Sequence, residues 1–371
     1  VGRLRVVVAP DSFKGSASAV EVARAIAEGW SAARAGDEIV LAPMADGGEG
    51  TVEAFALAVP GSLRRPVVVP GPDDRPVRAW WLLLPDGTAV VELASTSGIT
   101  LLDPLRPLTA HTRGFGRAIA AALDAGADAL LLAIGGSAST DGGVGALREL
   151  GARFSTASGR DLGEGGGALP ALAAADLRAL RPLPPGGAVV LSDVATPLLG
   201  DSGAARVFGP QKGAGPEDVL LLESGLRRLA AHLDADPDAP GSGAAGGTGF
   251  GLLAWGAHPT SGADAVGRAI GLPALLAGAD VVITGEGRFD AQSAAGKVPV
   301  HVLALAEAAG ARTLLVAGAR TLLVAGAIAA PTPGFTAAVS LTEAAGSSSA
   351  ALADPFPHLR AVAREWAAQL L

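Results

Sequence analysis

The sequence contains no cysteine and no tyrosine, and one methionine, among its 371 residues. Without cysteine there is no disulfide framework, no thiolate zinc site and no cysteine nucleophile. The five histidines, at 111, 232, 258, 301 and 358, fit no HExxH spacing, so a histidine-built metal centre is not expected either. Aromatic residues make up 4% of the chain and the formal net charge is −8 at pH 7. That leaves neither a base-stacking platform nor a basic stripe, and no nucleic-acid partner is expected. No apolar run reaches membrane-spanning length, and no charged start followed by an apolar block and a small-residue cleavage site opens the chain. The expectation is a soluble, cytoplasmic protein without a membrane partner.

What the chain has is length and glycine. Its 371 residues exceed one ordinary core and favour two domains. Among its 52 glycines, the run GGSASTDGGVGALRELG from Gly135 to Gly151 is the most informative. It follows the apolar run Ala129 to Ile134, and strand, glycine-rich turn and helix in that order can present backbone N–H groups to a phosphate.

Short β-branched runs alternate with helical stretches from the start. Val6 to Ala9 and Ile39 to Ala42 read as strands, with an amphipathic stretch from Ala19 to Trp30 between them, as in a parallel α/β sheet. From Pro66 to Gly98 the rhythm changes. Val67 to Val69, Val77 to Leu84 and Ala89 to Leu93 read as antiparallel strands joined by GPDD and PDG turns. The predicted helix Arg113 to Ala125 and strand Leu130 to Ile134 restore the parallel rhythm, which is lost again from about Phe154 to Pro259. The expectation is therefore an α/β protein with a discontinuous Rossmann-like or flavodoxin-like parallel-sheet domain, interrupted by a mixed α/β domain. The first takes residues 1–65, 110–152 and 270–371, and the second 66–109 and 153–269. One local oddity is ARTLLVAG at 311–318, repeated unchanged at 319–326. Either copy could supply the strand, which gives two registers eight residues apart.

Familiar nucleotide motifs fail on inspection. Gly241, Gly243 and Gly246 satisfy GxGxxG, but DADPDAP before them cannot be a buried strand, and a glycine-rich turn without a ligand explains them as well. A Walker A loop ending at Lys297 would need glycine at 291 and Ser or Thr at 298, where the chain has Ala291 and Val298. Lys297 nevertheless follows Glu286, Arg288 and Asp290, a mixture that suits phosphate oxygens and Mg²⁺ as well as a solvated loop. Asp11, Ser12 and Lys14 follow the first strand and Asp46 and Glu49 the second, at the carboxyl ends where open α/β sheets bind ligands. Helix N-capping is the competing role for Asp11, Ser12 and Asp46. Asp193 ends AVVLS, and Lys212 lies in FGPQKGAG, an arrangement that suits a base and a phosphate clamp.

With these residues in view, the chain resembles the bacterial type I glycerate kinases, also called glycerate 2-kinases. The resemblance is carried by APDSFKGSASAVEVARAIAEG at 9–29, PMADGGEGT at 43–51, ELASTSGI at 92–99 and GGSASTDGG at 135–143. It continues in SDVATPLLGDSGAARVFGPQKGA at 192–214, PGSGAAGG at 240–247 and VITGEGRFDAQSAAGK at 282–297. It implies transfer of the ATP γ-phosphoryl group to D-glycerate with Mg²⁺, in a two-domain glycerate kinase type I fold enclosing a cleft. The chain departs from the family pattern at Ala195-Thr196, usually Asp-Asn, and at Ser139-Thr140, usually Thr-Asn.

Phosphoryl transfer asks for positioning, charge stabilisation and a group that accepts the proton of the attacking hydroxyl. Asp193 is the expected base, with Asp46 and Asp290 as rivals, and all three are candidate Mg²⁺ ligands. Lys14 belongs to the catalytic set. Lys14, Lys212 and Lys297 would neutralise phosphate or carboxylate oxygens, while Gly135, Gly136, Ser137, Asp141, Gly142 and Glu286 complete the expected ATP site. Phe208 and Phe289 are possible adenine walls. A monomer or homodimer fits. An NAD(P)-dependent hydroxy-acid dehydrogenase and a non-catalytic small-acid or nucleotide sensor are the alternatives.

Overall fold

The fold is that of a computed structural model, which describes residues 2–290, 297–310 and 320–369. Its strands are β1 (Arg5–Val8), β2 (Glu38–Leu41), β3 (Leu63–Pro70), β4 (Pro76–Leu83), β5 (Thr88–Glu92), β6 (Ala129–Ala133), β7 (Arg153–Thr156), β8 (Leu172–Asp176), β9 (Ala188–Leu191), β10 (His258–Thr260), β11 (Val281–Phe289), β12 (Arg320–Ile328) and β13 (Ala337–Ser340). They form two main sheets in two compact units, one of Val1–Asp46, Glu53–Ala58 and Ala263–Leu371, the other of Gly47–Val52 and Val59–Gly262.

The first unit holds a five-stranded parallel sheet in the order β13-β12-β11-β1-β2. Counted within the unit this is the flavodoxin-like order, with its direction of winding reversed between β1 and β11. The apolar run Val6 to Val8 is fully buried, as a parallel strand covered on both faces requires. Helix Ala19–Ala33 starts at a capping box: Glu21 N–H donates to Ser18 Oγ at 3.3 Å, and Ser18 N–H donates to Glu21 Oε2 at 2.9 Å. Val22, Ile26 and Trp30, spaced four residues apart, then enter one cluster with Val6, Val8, Val281 and Ile283. Leu359 and Val362 of the last helix, Phe356–Gln369, join that cluster. The two helices meet at Gly29, where a Cβ would overlap the Arg360 carbonyl oxygen.

The second unit holds a six-stranded sheet in the order β10-β9-β6-β5-β4-β3, antiparallel over β3-β4-β5 and parallel from β5 to β10, with a separate β7-β8 hairpin. The hairpin turns fall where Gly71 to Arg75 and Pro85 to Gly87 supply turn chemistry, with Asp74 at φ +67° and Gly87 at φ +85°. The mixed α/β architecture matches the expected class. The segment 110–152 does not lie where the sequence placed it: β6 pairs with β5 and β9, Ala133 facing Glu92 and Leu191, and so belongs to the second unit. Strand–helix rhythm marks β6 as parallel but carries no information about which sheet it joins.

Of the duplicated octapeptide, the second copy supplies β12, with Leu323 opposite Thr284. The first copy, 311–318, lies outside the described residues, as do 291–296 of the GEGRFDAQSAAGK loop. Among the described residues no helix is long and apolar enough to cross a membrane.

Candidate active site

In the first unit, the reversal between β1 and β11 brings Asp11, Lys14 and Glu286 to one edge. The chain leaves β1 through backbone bonds that fix this loop: Thr284 Oγ1 donates to Ala9 O at 2.9 Å, Asp11 N–H to Gly285 O at 2.8 Å, and Met44 N–H to Pro10 O at 2.8 Å. Glycine at 287 lets the DSFKGS turn lie over β11, because a Cβ there would come within 3.2 Å of Phe13 Cα.

Lys14 Nζ donates to Asp46 Oδ2 at 3.2 Å. Asp11 and Glu286 are buried nearby, and both act electrostatically on the same lysine. Burial, then the Asp46 charge, holds the Asp11 carboxyl well above the usual carboxylate range, against the opposing pull of Lys14 and the Ser12 N–H. Asp46 raises the lysine above its ordinary value. Three acids around one lysine leave an excess of negative charge that favours cations over anions. Asp290 pairs with the exposed Arg288 at 3.5 Å, and Lys297 is half-buried at the start of helix Val298–Gly310. Phe289 is no adenine wall. It packs edge-on against Phe335 with ring centroids 6.0 Å apart, inside an apolar cluster.

In the second unit the parallel strands β5, β6 and β9 end at Glu92, Ala133 and Leu191, with Gly135 and Asp193 two residues beyond the last two. The segment Gly47–Val52 lies across these ends. Gly135 N–H donates to Gly47 O at 2.9 Å, and a Cβ at Gly47 would overlap the Leu191 carbonyl oxygen. The buried Glu92 accepts the N–H groups of Gly50 at 3.1 Å and Val52 at 3.2 Å on one carboxylate oxygen. Burial pushes its carboxyl up to about 7, with those amides opposing and Glu49 adding to the rise. Sequence reasoning missed Glu92, since an acid at the end of an apolar strand reads as solvent-facing.

The loop 135–143 is turned inward. Asp141, 1% exposed, accepts from Thr112 N at 2.9 Å, Thr112 Oγ1 at 2.8 Å, Ser139 Oγ at 3.0 Å, Gly145 N at 3.2 Å and Gly143 N at 3.3 Å. A carboxylate with five donors holds the loop and the start of helix Val144–Glu149 in place. It has little capacity left for a ligand. Gly142 is spent likewise: its N–H donates to Gly246 O at 3.1 Å, and a Cβ would overlap Leu229. Gly136 is exposed and Ser137 faces Lys212. Of the departures from the family pattern, Ser139 still serves Asp141, whereas Thr140 Oγ1 is buried without a hydrogen-bond partner among the described residues.

Lys212 is 2% exposed. Its Nζ donates to Ser137 Oγ at 2.7 Å and, in a short contact, to the Ser139 carbonyl. The GxGxxG tract closes over it. Ala245, Gly246 and Gly247 have φ of +54°, +66° and +84°, and a Cβ at Gly246 would lie 2.9 Å from Lys212 Nζ. Those glycines serve close backbone approach here. Asp193 is half-buried and its Oδ1 accepts the Gly262 N–H at 2.9 Å. Among the described residues, no group of three or more His, Asp or Glu is arranged to hold a metal ion by itself.

The comparisons with known proteins bear on the whole chain. The family model described as glycerate kinase family matches residues 6–371. The chain belongs to the glycerate kinase family. Its relatives include the "Glycerate 2-kinase" of Escherichia coli K12, 42% identical over 315 residues that cover 82% of each chain. The "Glycerate kinase" of Bacillus subtilis 168 is 43% identical over 309 residues, 81% of each chain. A crystal structure of "putative glycerate kinase 2" from Salmonella typhimurium LT2 superposes with a TM-score of 0.78 at 38% identity, covering 100% of this chain and 98% of that one. The dehydrogenase and sensor alternatives find no support in these likenesses, and a family member is a kinase.

Proposed function

We propose that this chain transfers the γ-phosphoryl group of ATP to D-glycerate with Mg²⁺, giving 2-phosphoglycerate in preference to 3-phosphoglycerate. The choice of acceptor and product follows the names of its relatives, the E. coli glycerate 2-kinase first among them. The observation that carries the phosphoryl-transfer chemistry is Lys212. A buried ammonium among neutral oxygens, with no ion pair at contact distance among the described residues, is costly unless an anion completes it.

Bound Mg²⁺ would supply charge neutralisation at the phosphate oxygens, and it is ordinarily held by one or two carboxylates plus those oxygens. Asp46, Asp193 and Asp290 are the carboxylates proposed to contribute, which suits a donor set without a three-acid cage. Asp193 is proposed to accept the proton of the attacking hydroxyl. The Gly262 N–H on one oxygen holds its carboxylate in place. Lys14, Lys297, Glu286 and the exposed Gly136 are proposed contacts for phosphate or substrate groups. Gly135, Asp141 and Gly142 are proposed to act through the loop they hold rather than through ligand contact.

The test is ADP release coupled to D-glycerate, with the product resolved into 2- and 3-phosphoglycerate. ADP should form only when both substrates are present. Asp193→Asn should lower turnover by about 10²-fold or more, the usual contribution of a general base. A loss smaller than about tenfold removes Asp193 from that role.

A further inference from the structure

We infer that Lys212 is a positioning residue that acts through Ser137: the Ser137 hydroxyl donates to an oxyanion of the ligand, and Lys212 takes up a proton as that oxyanion binds. The inference rests on the kinase reading for its ligands, a nucleotide phosphate or the glycerate carboxylate.

The direction of the hydrogen bonds decides the roles. Once charged, Lys212 has three donors and no acceptor, so across this contact, 2.7 Å in the structure, Ser137 Oγ then accepts. Its own O–H must point elsewhere, and among the described residues it donates to no protein group. Ser137 is 6% exposed and follows the exposed Gly136, whereas Lys212 is 2% exposed behind it. An oxyanion reaching this loop therefore meets the serine first. A hydroxyl whose oxygen already accepts from an amine is the better donor, because chained hydrogen bonds polarise one another.

The surroundings explain why the amine would change its charge. The elements packed on Lys212 Nζ are the loop 135–143, which presents Asp141, the tract Ala244–Thr248, which has no charged side chain, and its own turn Pro210–Lys212, with the neutral Gln211. Asp141 spends both oxygens on Thr112, Ser139, Gly143 and Gly145, and makes no ion pair with Lys212. Burial lowers the amine to about 7, opposed only by the Asp141 charge. At pH 8 about one Lys212 in ten would be charged in the ligand-free protein. A negative charge about 5 Å away, at an effective dielectric constant of about 20, makes protonation roughly a hundredfold more favourable. Binding then draws about 0.8 proton from solvent onto Lys212 Nζ, and no other bond is made or broken.

Isothermal titration calorimetry at pH 8, in buffers of different ionisation enthalpy, reads this uptake directly. MgADP and D-glycerate are titrated in separate arms. Uptake of about 0.8 proton in the MgADP arm supports the inference with a phosphate as the oxyanion, and uptake in the glycerate arm supports it with the carboxylate. Ser137→Ala removes the relay without burying a new group, and Lys212→Arg makes the charge permanent; each should reduce uptake to below about 0.2 proton. The inference is overturned if both ligands bind wild-type protein without uptake, or if Ser137→Ala retains it in full. Both results leave the kinase reading intact as long as glycerate-dependent ADP release persists. Failure of both ligands to bind, with no ADP formed, overturns the kinase reading and the inference together.

Discussion

Replacing Glu92 with glutamine should change the pH dependence of stability in a defined direction. Burial raises the Glu92 carboxyl from its ordinary 4.5 to about 7 in the folded chain. Between those values the folded state binds a proton that the unfolded state does not, so stability falls as pH rises through the window, and the whole cost is present above pH 7. The difference between the two values corresponds to about 3 kcal/mol. Glutamine keeps one carbonyl oxygen, which is enough for both N–H donors, because Gly50 and Val52 share a single carboxylate oxygen. The variant therefore loses the titration while keeping the acceptor. Urea unfolding followed by tryptophan fluorescence, on wild type and Glu92→Gln at pH 4.5 and pH 8, isolates this group because the other titrations cancel in the difference. Relative to wild type, the variant should gain about 3 kcal/mol on going from the lower to the higher pH. A relative stability that is the same at both pH values refutes the buried, titrating carboxylate.

Other perturbations separate structural from chemical roles. Asp141→Ala leaves the N–H groups of Thr112 and Gly145 buried without their acceptor, and should cost about 3–5 kcal/mol, seen as a fall in melting temperature before any kinetic effect is read. Gly29→Ala drives a methyl group into the Arg360 backbone and should cost about 1–3 kcal/mol in thermal unfolding, with KM for both substrates unchanged. Deleting 311–318 should leave stability within about 1 kcal/mol and turnover intact, since β12 comes from the second copy and chain length between elements costs little in general. A variant that fails to fold would show that the first copy has a structural role.

Much of the fold was legible because local chemistry and tertiary context agree. The apolar Val6 to Val8 and the turns at Asp74 and Gly87 each specify their element within a few residues. The sheet to which β6 belongs was not legible, since its partners β5 and β9 are selected by long-range packing. In the site, Asp11, Lys14 and Asp46 follow from their positions at strand ends, a rule of open α/β sheets. The partners of Asp141 were not legible: a glycine-rich loop whose carboxylate is open to a ligand and one whose carboxylate is held by its own donors have the same composition. The difference lies in Thr112, distant in sequence, which takes up the carboxylate. For the duplicated octapeptide, both copies offer the same strand up to its last residue. There the strand built on the second copy ends in Ile328, opposite Phe289 in an apolar cluster, where one built on the first would place Arg320. That single position gives the sheet a reason to prefer the register it adopts.

The pairing of β1 with β11 also dictates an order of manufacture. Val6 to Val8 leave the ribosome well before their partners Val281 to Ile283 and the helix Phe356–Gln369 that packs on the same core. The unit of Gly47–Val52 and Val59–Gly262 has all its strands before β11 is made, so it can complete its core while β1 and β2 wait. For that interval the nascent chain carries an unpaired, fully apolar strand edge. Until β11 is made, that edge is open to pairing with other chains, a route to aggregation that the finished fold closes.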